Sequence, residues 1–249
     1  MNESLMSQLR VAVPIATSVA DISGEKPGLV IVDENNGFCT VGAGNLAPVA
    51  QDDDIDSMID RTCNTAKAFL AKGWPVLVFL DSHVPGVPEH PYPPHCEQGT
   101  GEDELVPALQ WLMDADGVTI MPKDCINGFV GGINIETNAN MVVDWVNANG
   151  LTAVVVEGIC TDICDMDFVL SMLSARNHGR TLEAGGGYMP TLQRIIVDVP
   201  GTATYDLPRG VAEEIGLPSV AAHPRDVTDY MGLYFMASRG AELASDLVL

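Results

Sequence analysis

The chain predicts an α/β fold, a parallel sheet covered by helices on both faces, and three observations carry that prediction. Short apolar runs recur at residues 29–32, 75–80 and 153–156, with a fourth at 118–121 interrupted only by Thr119, the pattern of strands buried on both faces. Segments with helical apolar spacing separate them, so strands and helices alternate as in βαβ units. The 249 residues show no repeat, low-complexity tract or internal linker, which suits one large domain.

Each element has its own warrant. Leu29, Val30, Ile31 and Val32 form a first strand that ends at Asp33, and residues 75–80 a second that ends at Asp81. Between them, Ile55, Met58, Ile59, Cys63, Ala66 and Leu70 recur at helical spacing over residues 52–72. Residues 105–113 read as a short helix, and 118–121 as a third strand leading to Lys123. Residues 138–149 read as a helix and 153–156 as a fourth strand. A helix over 164–177 comes next, then a fifth strand at 195–199 and a helix at 206–215. A brief sixth strand at 219–221 and a closing helix at 225–239 complete the pattern. Residues 1–27 are set apart as an N-terminal arm and 28–249 as the single domain.

Composition excludes several partners. Thirty-four acidic residues against 12 Lys and Arg leave a formal charge of −22, which disfavours nucleic acid and anionic membranes. No apolar run approaches the ~18 residues needed to cross a bilayer, and no signal peptide is visible. Six cysteines occur without a C-x-x-C pair, as suits a reducing compartment. The expectation is a cytoplasmic protein whose partner is a small molecule.

The strand ends carry the chemistry. Asp33, Asp81, Lys123 and the turn from Cys160 to Cys164 all fall just past the ends of successive strands, the edge where open α/β sheets bind ligands. A lone Asp there is more often a helix cap, but four chemically suited residues on one edge favour a site. Cys164 stands at the predicted start of a helix, where free N–H groups and the dipole favour a thiolate nucleophile. Asp33 suits a proton acceptor, Lys123 a charge stabiliser, and the amides of Cys160 and Cys164 an oxyanion hole. The chemistry they suit is acyl transfer through a thioester.

A second constellation lies nearby. Asp81 and His83 are followed by Glu89, His90, Tyr92 and His95 in a Pro- and Gly-rich stretch over 84–101, too long for an ordinary connection and so expected to be functional. Such N and O donors suit a borderline divalent metal. By donor chemistry alone His90 competes with Glu89. His178 and His223 lie far from this loop and read as structural. Cys39, Cys96 and Cys125 read as packing residues near the site.

Several segments carry a family likeness. Residues 32–39 (Val-Asp-Glu-Asn-Asn-Gly-Phe-Cys), Asp81-Ser82-His83, residues 93–96 (Pro-Pro-His-Cys), Lys123 and residues 158–164 (Gly-Ile-Cys-Thr-Asp-Ile-Cys) resemble the isochorismatase-like cysteine hydrolases. Within that family, residues 35–45, 124–129 and 173–179 are most similar to plant-type nicotinamidases. The likeness covers roughly residues 28–240.

This resemblance implies a three-layer αβα fold with a six-stranded parallel sheet in order 3-2-1-4-5-6. It implies a triad of Asp33, Lys123 and Cys164, a cis peptide before Cys160, and a metal held by Asp81, His83 and His95. Register favours Glu89 as the fourth ligand. Zinc is the favoured ion, with iron and manganese also compatible. Phe38 and Tyr92 match positions whose aromatic rings sandwich a substrate ring. The implied activity is hydrolysis of nicotinamide to nicotinate and ammonia in NAD salvage, with another small carbamoyl or ureide amide as the alternative. Relatives include dimers and tetramers, which leaves a homo-oligomer open. Gly37 departs from the family pattern, standing where many relatives have Asp.

Overall fold

The apolar runs become strands of one parallel sheet, and the computed structural model describes residues 3–180 and 186–249. The strands are β1 (Ser18–Asp21), β2 (Pro27–Val32), β3 (Val76–Asp81), β4 (Val118–Lys123), β5 (Ala153–Ile159), β6 (Arg194–Ala203) and β7 (Glu242–Val248). The helices are α1 (Glu3–Ala12), α2 (Asn36–Cys39), α3 (Asp53–Ala71), α4 (Gly128–Gly131), α5 (Met141–Asn149), α6 (Cys164–Asn177), α7 (Arg209–Glu214) and α8 (Arg225–Ser238). Two 3-10 segments lie at Pro107–Asp114 and Ser219–Ala221. No helix among the described residues is long and apolar enough to cross a membrane.

The sheet order is β1-β7-β6-β5-β2-β3-β4. This corrects the expected sheet of six strands in order 3-2-1-4-5-6, since seven strands pair among the described residues. The difference lies at one end. Residues 219–221, expected as the sixth strand, form a 3-10 turn behind Pro218. Glu242–Val248 pairs with β6 instead, and β1 pairs with β7 to make the outer edge. Residues 3–27 of the segment set apart as an arm thus include a strand of the sheet.

Side-chain alternation divides the core into two layers. Val30, Val32, Leu77, Phe79, Val154 and Val156 pack with α5, α6 and α8 through Val142, Phe168, Val169, Leu233 and Met236. Their neighbours Leu29, Ile31, Val76, Val78, Val155 and Ile196 pack with α3 and the first 3-10 segment through Ile55, Met58, Phe69, Leu109 and Leu112. Every residue of β2, β3 and β5 is buried, which explains why these strands lack polar alternation. The α3 helix begins where the Asp52 side chain accepts from the N–H groups of Asp54 and Ile55, an N-cap that supplies two otherwise orphaned donors with a partner.

Helix α6, which begins at Cys164, is tied to this core within its second turn. Phe168 on α6 is fully buried, and its ring meets Phe79 of β3 edge-on at 5.3 Å between centroids. Truncation to Phe168→Ala should cost about 3–5 kcal/mol, the range for large buried aromatics. A urea unfolding curve of that variant should show a clearly lowered midpoint; an unchanged midpoint would contradict this packing account.

Candidate active site

Because all the strands are parallel, their carboxyl ends meet on one edge, and β2, β3, β4 and β5 deliver Asp33, Asp81, Lys123 and Cys160 there. Asp33 adopts φ 54, a left-handed conformation that Asp tolerates better than most residues. Beside it β5 approaches β2 very closely. A Cβ on Gly158 (φ 139) would fall 2.2 Å from the Val32 carbonyl oxygen, so only glycine fits.

Lys123 joins the parts. Its side chain is fully buried, and Nζ lies 2.8 Å from Asp33 Oδ2 and 2.8 Å from Asp81 Oδ1. It also donates to the Cys125 carbonyl at 2.9 Å. The contact with Asp33 is an ion pair, as neither Asp33 oxygen has a partner of good hydrogen-bond geometry among the described residues. Burial opposes ionisation of both carboxyls. For Asp33 burial wins and the pKa rises, although Lys123 and the Cys164 thiol pull against it. For Asp81 the nearby Lys123, His83 and His95 overcome burial and hold the pKa well below the ordinary range.

Cys164 is the first residue of α6, whose N-terminus lacks a side-chain cap. In its first turn the Asp165 N–H donates to the Cys160 carbonyl at 3.2 Å, while the N–H of Cys164 itself is of the kind that can face an anion. The helix start favours a thiolate, but burial outweighs it and raises the Cys164 pKa well above the usual thiol value, with Lys123 the leading opposing influence. The Ile159–Cys160 peptide is cis.

The long loop folds back on its own start. His83 N–H donates to the Cys96 carbonyl at 3.0 Å and Gln98 N–H to the His83 carbonyl at 2.9 Å, which brings Glu89, Tyr92 and His95 over the strand edge. One donor atom each from Asp81, His83, Glu89 and His95 lie within 4.8 Å of one another. Asp81 Oδ2 is 3.0 Å from His83 Nε2 and 3.1 Å from His95 Nε2, while Glu89 Oε2 is 3.6 and 3.5 Å from the same nitrogens. Tetrahedral ligands at ~2.0–2.1 Å from an ion stand about 3.3 Å apart, so the set can hold a divalent metal ion.

The outer partners of these donors also suit a metal. His95 Nδ1 faces the Pro93 carbonyl at 2.8 Å, and Glu89 Oε1 accepts from the Ile126 N–H at 2.7 Å, contacts that orient metal ligands. His90 is exposed and outside the cluster.

The pocket between the two constellations is lined by Phe38, Tyr92, Cys160 and Cys164 together with Leu46, Ile126, Ile159, Ile163 and Tyr205. Phe38 and Tyr92 flank His95, with ring centroids at 5.6 and 6.0 Å. The last five residues escaped the sequence reading. For Tyr205 a signal existed: it follows β6, but Pro200 and Gly201 made that strand look as though it ended at Val199. Gly37 is explained by space, since a Cβ there would fall 2.6 Å from Cys96 Sγ.

Comparison with known proteins places the chain in a family. Residues 27–179 match the model of the isochorismatase domain. The chain is 44% identical over 248 residues to Nicotinamidase 1 of Arabidopsis thaliana, covering 99% of this chain and 97% of that one. The chain therefore belongs to the isochorismatase family, and within it is of the plant nicotinamidase type.

Among solved structures, a nicotinamidase/pyrazinamidase from Bacillus subtilis superposes with a TM-score of 0.61 at 19% identity, over 88% of this chain and 99% of that one. The pyrazinamidase of Pyrococcus horikoshii in complex with zinc gives 0.59 at 17% identity, over 88% and 98%. At these identities the two share the fold.

One buried acid beside the site has a measurable consequence. Glu34 is fully buried and neither side-chain oxygen has a partner of good geometry among the described residues. Burial raises its pKa from 4.5 to about 8, against a weak pull from Thr62. A raised folded-state pKa means stability that is complete below about 4.5 and is lost as pH climbs to about 8. Glu34→Gln should remove this slope, with a benefit over the parent at pH 8 on the order of a few kcal/mol. Melting temperatures of both proteins across that window test this, and parallel profiles would refute it.

Proposed function

We propose that this protein hydrolyses nicotinamide to nicotinate and ammonia, with Asp33, Lys123 and Cys164 as its catalytic residues. The observation that carries the reading is a buried Lys123 2.8 Å from both Asp33 and Asp81, which joins a thiol–carboxylate pair to a four-donor cluster beside one pocket. The near full-length similarity to a plant nicotinamidase supports the substrate.

In this reading Asp33 takes the Cys164 proton as sulfur attacks the carboxamide carbon. The resulting oxyanion faces the N–H groups of Cys160 and Cys164, the start of an uncapped helix. The C–N bond breaks, and ammonia leaves with the proton from Asp33. Water then adds to the thioester, its proton passing to Asp33. The C–S bond breaks, Cys164 regains its proton and nicotinate departs. Lys123 keeps Asp33 in place and balances the charge that moves between carboxylate and sulfur.

Asp81, His83, Glu89 and His95 are the ligands of a divalent ion in this proposal, with zinc favoured by two imidazoles and two carboxylates at these separations. When bound, such an ion supplies a Lewis acid that suits a pyridine nitrogen. Phe38 and Tyr92 then stand as the walls of a ring slot. Six free cysteines fit a reducing, cytoplasmic setting.

Purified metal-loaded protein should release ammonia from nicotinamide, and Cys164→Ala should lose at least 10³-fold in kcat, as for a removed nucleophile. Ammonia release by that variant at the parental rate would sink the mechanism. A panel of carbamoyl and ureide amides, compared by kcat/KM, tests the substrate assignment; a better substrate among them would displace nicotinamide. Glu89→Ala, which removes a ligand and not merely an outer partner, should weaken metal affinity by at least about 100-fold, the upper end for outer partners, whereas His90→Ala should leave it unchanged, as read by metal analysis after dialysis. Equal losses in the two variants would overturn the ligand assignment.

A further inference from the structure

Tyr205, which neither constellation includes, lines the pocket beside Cys160 and Cys164. One face of its ring is covered by His223, stacked at 4.1 Å between centroids and 22° between planes. The backbones of Leu207 and His223 exchange two hydrogen bonds of 2.8 Å, which hold the histidine under the tyrosine. His223 Nε2 lies 2.7 Å from Asp162 Oδ2, and Nδ1 lies 3.0 Å from the Tyr205 carbonyl oxygen. A carboxylate and a carbonyl can only accept, so a ring that satisfies both must donate from both nitrogens. That is the imidazolium, and a cation against an aromatic face adds attraction to the stacking.

Asp162 belongs to the turn between Cys160 and Cys164. Its other oxygen, Oδ1, accepts from Thr204 Oγ1 at 2.7 Å, and Thr161 N–H donates to the Ala203 carbonyl at 3.0 Å. On α8, Gly232 lies so close that a Cβ there would sit 2.7 Å from the Asp162 Cα. His223 thus links the turn that bears the thiol to the ring that lines the pocket.

We propose that Tyr205 is a third aromatic wall of the substrate-ring slot and that His223 and Asp162 are positioning residues that fix its place relative to Cys164. This rests on the reading of the pocket as a nicotinamide site. The wall acts on the ring of the substrate, not on its carboxamide. Loss of the positioning contact should therefore weaken ring binding while the thiol keeps its environment.

The test separates binding from catalysis. In a Cys164→Ala background, calorimetric titration with nicotinamide should show about tenfold weaker binding for His223→Leu and for Tyr205→Ala, the scale of a lost aromatic contact. The double variant should be no weaker than about either single one, because both changes disable the same wall. With Cys164 intact, His223→Leu should raise KM for nicotinamide about tenfold with kcat within about threefold. Alkylation of Cys164 by iodoacetamide, which has no ring, should change by less than about twofold. His223→Gln, which keeps a donor toward Asp162, should recover part of the KM.

Unchanged nicotinamide affinity in His223→Leu overturns the proposal, as does no measurable binding by the Cys164→Ala parent. So does a drop in alkylation rate matching the loss of affinity, since damage would then lie in the turn itself. If His223→Leu does not fold, Tyr205→Ala and His223→Gln decide by the same comparisons. Intact ring binding with no ammonia release by the Cys164-containing protein would count against the hydrolytic reading alone.

Discussion

The site depends on one buried ammonium. Lys123 has no solvent exposure at its side chain and sits 2.8 Å from a carboxylate on either side. An isolated ammonium in such surroundings would be costly, and only close, well-placed counter-charges offset it. Asp33 and Asp81 supply them from two different strands, so β2, β3 and β4 are fixed to one another by charge at the edge as well as by hydrogen bonds along their length. Asp81 spends one oxygen on Lys123 and turns the other toward His83 and His95. The same carboxylate therefore belongs to both constellations, and neither can shift without the other.

The sheet makes this economy available. Parallel strands bring residues 48 and 42 positions apart, Asp33 to Asp81 and Asp81 to Lys123, to the same edge with neighbouring register. Two local departures then aim the groups. Asp33 turns out of its strand in a left-handed conformation, and Gly158 lets β5 press against β2 where any side chain would collide with the Val32 carbonyl. The third contribution is the loop that leaves after β3 and returns beside its own origin. Its length is set by the need to carry Glu89 and His95 over the cleft and back.

What could be read from the sequence follows from how local each signal is. Strands buried on both faces announce themselves as apolar runs, and the residue past each end is then a candidate by rule. Lys123, Asp33 and Asp81 were legible for that reason. The outer strands were not. β7 is mostly exposed and carries Glu242 and Asp246, and β1 has four residues with one buried, so their strand character comes from pairing rather than pattern. Ser219, Val220 and Ala221 gave the opposite error, since only Val220 favours a strand and the segment forms a 3-10 turn behind Pro218. Glu89 was favoured over His90 by the register of the family resemblance and not by donor chemistry, which alone favours the histidine, and it is Glu89 that clusters with Asp81, His83 and His95. Tyr205 and His223 met only in space: they are 18 residues apart, and their apposition depends on the Leu207–His223 bridge.

Burial in this cleft also governs its acid–base balance. Cys164 in the pocket, and Glu34, Glu157 and Asp165 in the core around it, are all buried with raised pKa values, and in each burial is the largest cause. Burial therefore favours the protonated form of each of these groups. A neutral thiol is a poor nucleophile, and at first sight that weighs against the proposed reaction. The same burial, however, raises Asp33 and makes it a stronger base than an exposed carboxylate. Transfer of the proton from sulfur to Asp33 moves a negative charge from one neighbour of Lys123 to another without creating a new one. Much of the desolvation cost is then common to both sides of the step and cancels. The surroundings that suppress a free thiolate thus leave its formation against the substrate within reach, provided that Lys123 stays between the two carboxylates.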